Sequence, residues 1–408
     1  MLAMLISMIL SGCALQNFAT LRRNLSDFKT LGAVFGQVEV AASIGSTDAV
    51  VAVLACDDAG CKVINHSTTA EGRYVMRLPP GGPYRLVAFV DANGDQRLGP
   101  GEARALSPEF RVPRAGASEQ VNLTIEPRGD PALPDLERIV GDLAAVESRP
   151  LPISMGEQAN LDDPMFSPAA GQQGLWAPSD FLSNVGGGVY MLQPYSPGRL
   201  PVIFVHGAGG TPAEFSTLAN AAREAGYQPW VFFYPSGLRL ERSAQMLADI
   251  LREMVEQYDV HRAAMVAHSM GGLVARDAVL QLQHGPSRLQ VPVLVTLATP
   301  WGGHEAAGAG VRRAPAVVPS WIDMQVGSEF QQRLLSSALP RGTEHVLLFA
   351  FRGNGNDGVV SLVSQLEPRA QAAATGMRGY DETHTSILRS PVVAREVTGV
   401  LDRSPRRH

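Results

Sequence analysis

Three residues far apart in this chain are of the types that together move an acyl group: Ser269 in "MVAHSMGG", Asp357 in "GNGNDGVV" and His384 in "DETHTSIL". A serine hydroxyl attacks a carbonyl when a base takes its proton, and a histidine serves when an acid holds its ring in one tautomer. The attack places negative charge on the carbonyl oxygen, which backbone N–H groups can receive. Met270 follows the serine directly. Ala208 lies in "FVHGAGG", where the glycines let the backbone turn its N–H groups towards one point. Each residue also has an ordinary reading: Ser269 as a helix cap, Asp357 as a turn residue, His384 as a helix-start residue. Asp381 is a second candidate acid close to His384 in sequence. Ala267 stands where a serine elbow usually has glycine; the demand there is for smallness, and alanine adds a single methyl.

The surrounding elements decide between these readings. After residue 186, "GVYMLQPY", "LPVIFVHG", "QPWVFFYPSG", "RAAMVAHS", "VPVLVTLATP" and "EHVLLFAFRG" are short, nearly continuous apolar runs, the pattern of parallel strands buried on both faces. Amphipathic stretches lie between them, as in "SAQMLADILREMVEQY", where Met246, Ile250, Met254 and Tyr258 share one helical face. The alternation predicts an α/β fold with a doubly wound, mostly parallel sheet, which binds ligands beyond the carboxyl ends of its strands. Ser269, Ala208 and Asp357 all follow predicted strands, and His384 precedes the final apolar helix.

In order along the chain, "VIFVHGAGG", "VAHSMGGLVAR", "TLATPWGG", "GNDGVV" and "THTSIL" resemble bacterial lipases and esterases of the α/β-hydrolase superfamily, and also its inositol-deacylase-like branch. The resemblance covers residues 186–402 as an α/β-hydrolase domain. It implies Ser269 as nucleophile, His384 as base, Asp357 as acid, and Ala208 with Met270 as oxyanion donors. It implies cleavage of lipid or other acyl esters through an acyl-enzyme, with no metal or cofactor required. Thioester or amide cleavage on the same fold, or a non-catalytic envelope-binding lipoprotein, are the alternatives. Two departures stand out: Ala267 for glycine, and Trp301 where lipases often carry histidine, which leaves pocket shape open. The stretch 302–335 reads as a cap or lid, with Trp321, Ile322 and Met324 either facing an acyl chain or simply packing.

The bulk composition fits two folded domains. The chain has 408 residues, 45% hydrophobic and 18% charged, and a net charge of -5 gives no reason to expect nucleic acid as a partner. Residues 35–127 read as short strands separated by turns, a small all-β sandwich preceding the α/β domain. This stretch resembles transthyretin-like or carboxypeptidase-regulatory-like sandwiches. Within it, Asp91, Asn93, Asp95 and Glu102 occupy calcium-loop positions, but Gln96 replaces the required glycine, so an Asx-rich hairpin is the competing reading. Residues 128–185, rich in proline and glycine, read as a linker or wrapping segment.

Residues 1–13 read as a lipoprotein signal segment. The apolar run ends in Leu10-Ser11-Gly12-Cys13, which resembles a bacterial lipobox, although no basic residue precedes Arg22. Acylation of Cys13 would tie the chain to a membrane of the bacterial envelope, and Ala14 resembles the outer-membrane sorting choice. Cys56 and Cys61 flank a turn closely enough to bridge in an oxidising compartment; two free thiols are the alternative.

Overall fold

The computed structural model describes residues 12–46, 49–69, 72–115, 117–127, 135–146, 153–283, 289–353 and 355–403. It contains two compact units. One is Arg23–Ile153, and the other joins Met1–Arg22 to Ser154–His408.

The first unit consists of β1 (Gly32–Val40), β2 (Val50–Asp57), β3 (Gly60–Thr68), β4 (Arg73–Leu78), β5 (Gly81–Phe89), β6 (Arg104–Leu106), β7 (Phe110–Val112), β8 (Ser118–Gln120) and β9 (Leu123–Ile125). One sheet has the order β4-β1-β8, with β9 also on β1; the other has β3-β2-β5-β6, with β7 also on β5. Strand β2 shows why "VVAVLA" is apolar throughout. Side chains alternate faces along a strand. Val51 and Val53 join Val34, Val38, Met76, Leu86 and Ala88 in a core fed by both sheets. Val50, Ala52 and Leu54 point the other way, into a cluster with Phe89, Leu136, Val140 and Leu143 from a short helix and the turn after it. Cys56 and Cys61 are register partners across β2 and β3 and are joined as a disulfide.

The Asp91 loop turns its carboxylates on its own backbone. Asp91 accepts from the N–H groups of Gly94, Asp95 and Gln96, and Glu102 accepts from those of Ala92 and Gly99. Gln96 has φ 56°, the left-handed conformation that the glycine of a calcium loop would supply. Among the described residues no group of three His, Cys, Asp or Glu side chains is placed to hold a metal.

The second unit is built on an eight-stranded sheet: β10 (Ile153–Gln158), β11 (Gly187–Met191), β12 (Pro201–Val205), β13 (Gln228–Phe233), β14 (Ala264–His268), β15 (Val293–Leu297), β16 (Glu344–Phe351) and β17 (Gly376–Asp381). Its order is β10-β11-β13-β12-β14-β15-β16-β17. β11 runs antiparallel to β13, and the pairings from β13 to β17 are parallel. Every residue of β11 to β15 is buried, which is why each read as an unbroken apolar run. The strand order reverses between β12 and β14, so the loops leaving these two neighbours open a crevice at the carboxyl edge. The long helix Leu240–Tyr258 buries Leu247, Ile250, Leu251 and Met254 and packs against the helix Met270–Leu282.

Two organisational expectations need correction. Residues 153–184, read as part of a linker or wrapping segment, supply edge strand β10 and the helices Pro168–Trp176 and Pro178–Asn184 to the second unit. An edge strand is covered less completely, and "ISMGEQ" alternates instead of forming an apolar run. The helix Gly12–Thr30 begins in the second unit, so the β unit interrupts that unit's sequence instead of simply preceding it. The signal-segment reading falls mostly on residues 1–11, outside the described residues; Cys13 lies at the start of that helix. No helix among the described residues is long and apolar enough to cross a membrane.

Candidate active site

Ser269 occupies the single residue between β14 and the helix Met270–Leu282, with φ 55° and ψ −130°. A non-glycine residue rarely adopts that conformation, so close packing must hold it. Glycines permit the packing. A Cβ on Gly207, in the loop after β12, would stand 2.9 Å from that of Ser269. One on Gly271 would meet the carbonyl oxygens of Val205 and His206 at 2.3 and 2.4 Å, and one on Gly272 would meet Thr299 Oγ1 at 2.0 Å. The tight approaches therefore lie after the serine and across to β12. Ala267 sits fully buried in β14, paired with Val205 and Thr296, so alanine is accommodated at the first place of the elbow.

The structure brings Ser269, His384 and Asp357 into one line. His384 Nε2 is 2.9 Å from Ser269 Oγ, and His384 Nδ1 is 2.6 Å from Asp357 Oδ2. The backbone N–H of His384 also donates to the Asp357 carbonyl at 2.9 Å, so acid and base are tied twice. The buried Asp357 carboxylate accepts from the N–H groups of Val359 and Val360 at 2.8 and 2.7 Å. Asp381 plays no part in the line; it is exposed and its nearest cation is Arg352, at 3.9 Å.

Two supporting residues escaped the sequence reading. Gln365 donates to Asp357 Oδ2 at 3.2 Å and to the carbonyls of Ala350 and Val360, while its own oxygen accepts from Ala350 N–H. His268, beside the serine, lies under the base: its ring centroid is 4.6 Å from that of His384, and its Nε2 is 2.7 Å from the His384 carbonyl oxygen. A carbonyl only accepts, so Nε2 carries the hydrogen and donates it. Burial, with the neighbouring His384 second, holds the His268 pKa well below the usual histidine value. His206 stacks on Tyr234 at 4.4 Å, and burial lowers its pKa to about 4. For the two histidines the available signal was their placing: each is a polar residue closing an apolar strand run.

Ala208 lines the cavity into which Ser269 and His384 open. Met270 starts a 13-residue helix, whose first N–H groups have no acceptor within the helix and sit at its positive end. The cavity measures about 290 Å³, and its further walls include Met324, Trp321, Val359 and Val360. Trp321 and Met324 thus face the site, whereas Ile322 is not among its walls. Trp301 is buried away from it, against the His345 ring at 5.4 Å and the Arg276 guanidinium at 6.0 Å. It is His304 that lines the cavity, with Nε2 3.0 Å from the Val359 carbonyl.

Such an arrangement can activate a hydroxyl and receive a carbonyl carbon beside an apolar chain. The second unit is an α/β fold around a mostly parallel eight-stranded sheet. A family model for the PGAP1-like alpha/beta domain matches residues 231–362, a span that holds Ser269 and Asp357 but not His384. No curated protein matches the chain. Among solved structures, the mature lipase of Bacillus licheniformis is 19% identical with a TM-score of 0.43, covering 52% of this chain and 97% of its own. Lipase B of Aspergillus fumigatus is 14% identical with a TM-score of 0.41, covering 53% and 56%. The phospholipase PlaB of Legionella pneumophila is 18% identical with a TM-score of 0.36, covering 41% and 45%.

Proposed function

We propose that this protein is a serine hydrolase of carboxylic esters, acting on lipid or other acyl esters. The observation that carries the reading is the unbroken line Ser269–His384–Asp357 opening on an apolar cavity. His384 Nε2 takes the serine proton as Oγ bonds to the ester carbonyl carbon, and Asp357 stabilises the imidazolium through Nδ1–H. The N–H groups of Ala208 and Met270 receive the oxyanion. His384 then returns the proton to the leaving alcohol, and water attacks the acyl-enzyme with His384 again as base, releasing the acid and restoring the serine. The test is labelling by a fluorophosphonate together with turnover of p-nitrophenyl butyrate. Ser269→Ala is expected to abolish labelling and to lower kcat by about 10⁴-fold or more. Undiminished turnover in Ser269→Ala would remove Ser269 from the mechanism.

In the same reading the chain is an exported lipoprotein, acylated at Cys13 and held at the outer membrane. The β unit is then a small transthyretin-like sandwich carried with it. The Leu10-Ser11-Gly12-Cys13 motif and the Cys56–Cys61 disulfide, which suits an oxidising compartment, support this. Incorporation of radiolabelled palmitate in a bacterial host, lost on Cys13→Ala, checks it; equal labelling of the variant would oppose it.

A further inference from the structure

We propose that the N-terminal helix selects acyl chain length, acting on the cavity through three aromatic rings, Phe18, Trp176 and Trp321. The proposal rests on the ester-hydrolase reading above and names a specificity determinant for it.

Trp321, on the helix Pro319–Met324, is a wall of the cavity that contains Ser269. One part of its indole lies on Gly310 of the helix Glu305–Arg313, where a Cβ would meet the ring at 2.5 Å. The ring also meets Trp176 edge to face at 5.7 Å. Trp176, the last residue of the helix Pro168–Trp176, in turn meets Phe18 edge to face at 5.3 Å. Phe18 and Leu21 form the buried face of the N-terminal helix. A second contact fixes the same wall: Arg22 Nη2 donates to the Pro315 carbonyl at 2.5 Å. Pro315 lies between the helices that carry Gly310 and Trp321. The N-terminal helix therefore braces the cavity wall at two points, though it contributes no residue to the cavity lining.

Trp321 is only half-buried, so its position depends on these braces. Edge-to-face pairs favour one relative ring placement, and removing the outer ring frees the next. Without Phe18, Trp176 loses its outer support, and the wall beside Ser269 can yield to a longer chain. Phe18 and Trp176 are positioning residues; Trp321 makes the contact.

The experiment compares the full chain with Phe18→Ala and Trp321→Ala on p-nitrophenyl acetate, butyrate, octanoate and dodecanoate. Trp321→Ala is expected to raise the kcat/KM ratio of dodecanoate to butyrate by about tenfold, the scale on which a pocket reads added methylenes. Phe18→Ala is expected to move the ratio the same way by about threefold, chiefly through KM, with acetate turnover and fluorophosphonate labelling of Ser269 unchanged. If Phe18→Ala lowers all four esters by one common factor, its role is only structural and the proposal is overturned. A wild-type profile in Phe18→Ala beside a shifted one in Trp321→Ala also overturns it. Gly310→Ala displaces the same indole with the N-terminal helix intact, so an unmoved profile there removes Trp321 from selection. Should the wild-type chain turn over no ester and resist the probe, the ester-hydrolase reading itself fails and this proposal falls with it. That result differs from normal turnover with an unmoved profile.

Discussion

At Asp357 the chain separates a structural carboxylate from one that can take part in proton transfer. Its partner His384 is 27 residues away in sequence, while Asp381, much nearer, points to solvent. Asp357→Asn is therefore expected to cost about 10⁴-fold in kcat, the scale for losing the acid behind such a histidine, and Asp381→Asn to leave ester turnover unchanged. Gln365 is the next test. Replacing it by Leu removes one hydrogen-bond partner from each of the buried groups of Ala350, Val360 and Asp357, so urea unfolding should show a loss of about 1–3 kcal/mol, with a lower kcat at similar KM. Ser269, Asp357 and His384, which the structure brings together, could be picked out because each sits at a place where chain direction changes, next to a predicted strand or helix. Gln365 and His268 could not. Their contribution consists of contacts through space, and His268 reaches a carbonyl 116 residues along the chain.

For the strands, legibility followed burial. β11 to β15 are covered on both faces and announced themselves as apolar runs, which gave the class of fold and placed the loops that carry Ala208 and Ser269. β10 and β17 lie at the sheet edges, and "GMRGYD", with two glycines and an arginine, carries no such signature. The elbow is the most sterically exacting of the turns. Gly271→Ala places a methyl against two backbone carbonyl oxygens, neither of which can swing aside as a side chain can. It is expected to abolish labelling of Ser269 and to lower the thermal midpoint. Ala267→Gly, at the position that looks anomalous in sequence, should leave kcat/KM nearly unchanged and cost about 0.5–1 kcal/mol through added backbone freedom.

The whole molecule carries a pH response in its buried histidines. Burial lowers His206 to about 4 and His345 to about 3, the latter helped by the Arg276 charge. A histidine in an unfolded chain takes up its proton near pH 6.5, so below that pH the unfolded state binds more protons than the folded one. Stability is thus held above about pH 6.5 and lost as pH falls towards the depressed values, by about 2 kcal/mol per ring near pH 5. Thermal midpoints measured across that window should fall with pH, and His345→Gln should flatten the decline. The division into units was the least legible feature at this scale. Composition showed a β-rich stretch followed by an α/β stretch, but nothing in residues 12–22 marked them as belonging with the latter.

That membership changes how the protein can be cut. The chain leaves its α/β unit at Arg22 and returns to it at Ser154. A fragment begun at Ser154 would therefore discard a helix of the unit it was meant to isolate, and with it the support for Trp176. In the language of circular permutants and insertions, the β unit is a guest in its neighbour's sequence, tethered at both ends. A pull applied through an acylated Cys13 would therefore reach the α/β unit first, with the β unit downstream of it.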